Sequence, residues 1–157
     1  MAGYGLVDLG KYGTFTGKPE IGVLVHFIYD PKLKAILPYY DRMPLCLPFE
    51  SKKGALGEPG FLGMNLHYVQ PGIRQFILDK MRKNIDLYKR DIRTRSMINY
   101  KFLKQIAGYD VIAPTIKHYL VEHVRSRYLN IDPIHYDKII KLPTARWSKG
   151  KPYKNAV

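Results

Sequence analysis

The chain has 157 residues, 46% of them hydrophobic and 25% charged, which suits one domain with a buried core and excludes wholesale disorder. Lys and Arg number 26 against 13 Asp and Glu, a net charge of +13; that excess repels itself and points to a polyanionic partner, whether nucleic acid, an anionic membrane surface or an acidic protein. The single cysteine, Cys46, excludes an internal disulfide framework and a cysteine-based zinc site.

Residues 1–22 hold six of the 13 glycines, with Tyr4, Tyr12 and Phe15 among them. Glycine loses the most entropy on ordering, so this stretch reads as a glycine-rich arm whose aromatic side chains anchor on a neighbouring subunit. No charged leader precedes an apolar stretch of signal-peptide length. The longest apolar run, 21–29, is interrupted by Gly22 and His26 and falls far short of the roughly 20 residues of a membrane helix. The expectation is a soluble protein with no membrane partner.

Residues 22–29 (GVLVHFIY) are β-branched and aromatic, and they stop at Asp30-Pro31, as a strand with a turn after it does. Residues 32–36 form a short connection. Residues 43–49 are apolar but contain Pro44 and Pro48, which predicts an edge or irregular strand. After a polar, glycine-containing loop over 50–60, residues 61–68 form a third strand candidate, twisted around Gly63. Pro71 then sits in the first turn of a helix whose buried stripe is Ile73, Phe76, Ile77 and Met81. A second helix is predicted over 97–107, with Ser96 as N-cap and Gly108 as C-cap. Pro114 opens a third, with Ile116, Tyr119, Leu120, Val124 and Tyr128 as its apolar face. Asp132-Pro133 begins a short helix that ends before Pro143.

The predicted fold class is α+β. A small antiparallel sheet from the N-terminal half packs with three to four helices from the C-terminal half, as one domain over 23–143 between an arm (1–22) and a basic tail (144–157). Val25, Phe27, Leu45, Leu47, Phe61, Leu66, Phe76, Ile77, Leu120 and Val124 are the expected core.

The residues offer little for catalysis. His118, Glu122 and His123 resemble a zinc-protease helix, but the segment HYLVEH is one residue too long for either spacing of that motif. They read as a solvated helix face. His67 has no carboxylate or nucleophile near it in sequence and reads as structural. Cys46, between two leucines, reads as a small buried hydrophobe. Asp79, Asp86, Asp91 and Glu122 are scattered, and no phosphate-binding glycine loop is present. No catalytic residue, metal ligand or cofactor is expected.

The basic residues are the strongest signal. From Arg74 to Arg95 there are eight (Arg74, Lys80, Arg82, Lys83, Lys89, Arg90, Arg93 and Arg95) against three acids, and the tail adds Arg146, Lys149, Lys151 and Lys154 with Trp147 and Tyr153 between them. Cations gathered on one surface neutralise phosphates and release counterions, which gives salt-dependent binding blind to sequence. The tail aromatics suit base stacking or packing on protein. An acidic protein surface satisfies the same charges.

Four segments carry a resemblance: LPYYDRMPL from Leu37, GFLGMNLHY from Gly60, KHYLVEHVRSRY from Lys117, and KLPT from Lys141. In order and spacing the chain resembles, over residues 24–147, a group of small virion or DNA-packaging-related proteins of large contractile-tailed bacteriophages. The resemblance implies a non-enzymatic virion component, assembled in the host cytoplasm in many copies. It would bridge larger subunits in the neck, tail or baseplate. The alternative it implies is a DNA-binding protein that protects or positions genome ends during packaging.

Overall fold

The structure, a computed structural model, describes residues 6–31, 40–141, 145–148 and 151–154. The predicted connection over 32–36 lies outside them, as do Tyr4 and Lys149. The fold is α+β. Strands β1 (Gly13–Thr16), β2 (Val25–His26), β4 (Leu45–Ser51), β5 (Gly60–Asn65), β6 (Ile116–Leu120) and β7 (Tyr128–Ile131) form an antiparallel sheet in the order β1-β7-β2-β4-β5-β6. A smaller sheet joins β3 (Tyr40–Asp41) to a hairpin of β8 (Ala145–Ser148) and β9 (Lys151–Lys154). The helices are α1 (Pro71–Leu87), α2 (Ile92–Ile106) and the short α3 (Tyr136–Ile139).

Alternation along the strands sends side chains to two cores, as the pleat requires. Leu24, Leu45, Leu47, Met64 and Leu129 join the larger core with Ile77, Leu78 and Met81 of α1 and Leu103 and Ile106 of α2. On the other face Val25, Phe27, Cys46, Phe61, Tyr119 and Tyr128 gather as a second, aromatic core. Phe27 is its centre, with the rings of Phe61, Tyr119 and Tyr128 edge-on at 6.0, 5.3 and 5.3 Å. Such edge-to-face pairs add to area burial.

Several expectations are corrected. The segment after Pro114 is not a helix: a 3-10 turn at Ala113–Thr115 leads into β6, which pairs with β5 so that Phe61 lies opposite Tyr119. Two of the six strands of the sheet therefore come from the C-terminal half. Of the two readings of residues 43–49, the irregular strand holds and the edge does not: β4 lies between β2 and β5, and a register shift between Pro48 and Glu50 accommodates the missing proline N–H. Helix α2 begins five residues before the predicted start, because Asp91, not Ser96, caps it by accepting from the Thr94 N–H at 3.0 Å. Phe76 is 62% exposed; the buried side of α1 is Arg74, Ile77, Leu78, Met81 and Asn84. Val124 is half-buried against the aromatic core.

The expected arm is part of the domain from residue 6 onward. Leu6, Leu9 and Tyr12 are buried in the larger core, and β1 pairs with β7 along its whole length. Tyr12 packs edge-on against His135 at 5.3 Å, so its anchor site lies within its own chain; Phe15 is half-buried against the same core. Gly22 turns the chain into β2 with φ +77°, and a Cβ there would meet Asn99 of α2 at 2.8 Å.

Gly63 meets a different constraint. A Cβ at this position would lie 2.3 Å from the Sγ of Cys46, itself fully buried. Gly63→Ala should destabilise the fold by about 1–3 kcal/mol through overpacking. In a Cys46→Ala background most of that loss should disappear, because the clashing sulfur is gone. Denaturant titration of the four proteins checks this; equal losses in both backgrounds would show that the clash is not with Cys46.

Candidate nucleic-acid interface

Helices α1 and α2 form a hairpin whose turn, residues 88–91, is closed by backbone bonds from Tyr88 N–H to Asn84 and from Asp91 N–H to Tyr88. Inside the hairpin, Asn84 donates to Asn99 at 3.1 Å, and both are buried. The antiparallel path brings the second half of α1 beside the first half of α2. Seven of the predicted contact residues, from Lys80 to Arg95, are thereby collected at one end of the hairpin.

The structure separates these residues. Lys80, Lys83, Lys89, Arg90 and Arg93 are exposed. None of the ion pairs among the described residues involves them; those pairs are Asp41–His67, Arg82–Asp137, Lys104–Glu50, His123–Glu122 and Arg125–Asp30. Of the three nearby acids, Asp79 accepts from Gln75 at 3.0 Å and Asp91 holds the Thr94 hydroxyl at 2.7 Å, while Asp86 is exposed on α1. Arg82 is half-buried, 3.1 Å from Asp137 and stacked over the Tyr136 ring at 5.7 Å. Arg95 is half-buried at a cleft of ≈ 200 Å³ lined also by Glu20, Asn99, Asp132 and Tyr136. Lys101, which the charge run in the sequence did not reach, is exposed on α2. Lys104 is held by Glu50 at 2.9 Å.

Arg74 is the clear correction. It is 4% exposed, its Nε donates to the Val69 carbonyl at 2.7 Å and its Nη1 to the Ile140 carbonyl at 3.0 Å. Five donors in a rigid fork suit this task of joining the start of α1 to the end of α3. Of the tail residues, Arg146, Trp147, Lys151, Tyr153 and Lys154 have their backbone in β8 and β9, while their side chains lie outside the described ones.

The sequence profile of a family described as "Phage T4 terminal DNA protecting protein" matches residues 10–157. The chain belongs to this family. A search of curated proteins and a search of solved structures each returned no match. Membership confirms the resemblance to a DNA-packaging-related phage group. Of the two functions that resemblance implied, the family's description favours protection of DNA ends over bridging in a neck, tail or baseplate.

His118 lies on β6 and not on a helix, and its Nε2 donates to the Lys52 carbonyl at 2.8 Å. His123 and Glu122 sit in the following 3-10 turn with 3.6 Å between Nε2 and Oε1. Among the described residues no three His, Cys, Asp or Glu side chains are grouped to hold a metal ion, and no helix is long and apolar enough to cross a membrane.

His67 does have a carboxylate, brought from 26 positions away. Its Nδ1 donates to Asp41 Oδ2 at 2.6 Å, where Asn65 Nδ2 also donates at 3.0 Å. Burial opposes ionisation of Asp41, but the His67 ring and the bonds from His67, Asn65 and the Met43 N–H outweigh it and hold the carboxyl below its ordinary range. Both residues are buried, so the pair clamps β3 to the end of β5. The ring of His26 stands 5.8 Å from that of His67 and donates from Nδ1 to the Pro44 carbonyl at 2.9 Å.

Burial first, and the His67 ring second, push the His26 imidazole down from 6.5 to about 4. The unfolded chain therefore takes up a proton at His26 near pH 6.5, and the folded chain only near pH 4. Stability should fall as pH drops between those values, by about 3 kcal/mol in all. Asp41 acts in the same direction lower down: its contribution is present above its ordinary 3.8 and lost as pH falls further. Denaturant titrations from about pH 7 to pH 4 check this. His26→Gln, which keeps a donor for Pro44, should flatten the dependence above about pH 4, and an unchanged slope would contradict the assignment.

Proposed function

We propose that this chain is a non-enzymatic DNA-binding protein that occupies the ends of phage duplex DNA and shields them from exonucleases. The observation that carries this is the cluster of five exposed cations, Lys80, Lys83, Lys89, Arg90 and Arg93, at one end of a helical hairpin in a chain of net charge +13. Such a surface neutralises phosphates without reading bases, which suits a protein that must act at an end whatever its sequence. The basic residues of 145–154 add to the same charge. Shielding needs occupancy only, so no catalytic group is required.

The test is digestion of linear duplex DNA by a double-strand exonuclease with and without the purified protein. Protection that disappears as salt is raised supports the reading. Digestion at the unprotected rate at every salt concentration would overturn it, as would cleavage of DNA by the protein itself. Binding to acidic proteins with no affinity for DNA would restore the bridging role.

A further inference from the structure

The end of the hairpin that gathers the cations also holds apolar side chains in water. Leu87 is 69% exposed and Ile92 is 64% exposed. They flank the turn at 88–91, which the backbone bonds at Tyr88 and Asp91 hold tight, with Lys89, Arg90 and Arg93 beside them. On α1, Phe76, Lys80, Lys83 and Leu87 follow one another at intervals of four, three and four residues, so they form a single exposed stripe. That stripe lies about a quarter turn round the helix from Ile77, Met81 and Asn84, which face the protein. The core does not use Leu87 or Ile92.

Two large aliphatic side chains in water at a cationic tip need a partner that is apolar at its centre and anionic around it. The side of a duplex does not fit. It offers phosphates outermost and mostly polar base edges in the grooves, so the cations would be satisfied while the apolar tip would find only thymine methyls or have to pry a base step apart. The end of a duplex does fit. The outer face of the terminal base pair is an unstacked aromatic plane, and the last phosphates of both strands surround it.

Resting on the DNA-binding reading above, we propose that the α1–α2 turn seats on the terminal base pair. Leu87 and Ile92 cover the exposed base face, and Lys89, Arg90 and Arg93 engage the last phosphates. The cations supply affinity for any duplex, and the apolar tip supplies the preference for an end.

The experiment compares a short blunt duplex with a duplex of the same sequence whose two ends are closed by nucleotide loops. The protein should bind the open duplex roughly tenfold more tightly, the order expected from partial burial of two aliphatic side chains against the base face. Leu87→Ser with Ile92→Ser should abolish that preference while keeping affinity for the closed duplex and its salt dependence. Leu87→Trp, which enlarges the stacking surface, should increase the preference. Equal binding of the two duplexes by the unmodified protein would overturn end stacking and leave DNA binding standing. Failure to bind either duplex would overturn the parent reading. A full preference in the double serine variant would show that another part of the protein reads the end.

Discussion

Replacing Lys89, Arg90 and Arg93 together by Gln should weaken binding to duplex DNA by roughly two to three orders of magnitude near 0.1 M salt. The same change should lower the slope of log K against log salt by about 0.9 for each phosphate left without its cation, up to about 2.7 for the three. The fold should be unaffected, because all three side chains are exposed and outside the ion pairs among the described residues, and removing charge from a chain of net +13 relieves repulsion. Lys104→Gln provides the control. That lysine is already bound to Glu50 at 2.9 Å, and its replacement should change the slope little. Filter-binding or fluorescence titrations across a salt series measure both quantities. A slope that stays the same in the triple variant would place the DNA on a different surface.

The second large effect concerns stability and sets two phenylalanines apart. Phe27→Ala should cost about 3–5 kcal/mol. Phe27 is fully buried, and four rings, Tyr29, Phe61, Tyr119 and Tyr128, lie edge-on to it within 6.1 Å, so the truncation leaves a cavity that Tyr29 and the neighbours on three strands cannot fill together. Phe76→Ala should stay within about 0.5 kcal/mol, as surface substitutions do, because Phe76 is 62% exposed. Paired denaturant titrations decide it; comparable losses at the two sites would contradict the described packing of α1.

Phe76 also shows where a sequence stops informing. Ile73, Phe76, Ile77 and Met81 have the spacing of a buried stripe, but the helix is rotated from that stripe so that Arg74 faces inward. The carbonyls of Val69 and Ile140 that stabilise Arg74 lie 5 and 66 positions away. Only the first is local, so periodicity could not reveal that an arginine belongs inside. The segment from Ile116 to Val124 has helical spacing as well as strand composition, and pairing of its first half with Gly60–Met64, a partner far away in the chain, decides between them. The Asp41–His67 clamp was hidden for the same reason. What was legible was local: the strand nature of residues near Val25, Leu47 and Phe61, the helix opened by Pro71, and the run of cations from Lys80 to Arg93.

Backbone amide hydrogen exchange, followed along the chain with and without a blunt duplex, tests the central claim most directly. DNA should slow exchange chiefly over residues 80–95, around the turn between α1 and α2. Slowed exchange confined to other segments, with residues 80–95 exchanging as they do in the free protein, would contradict it.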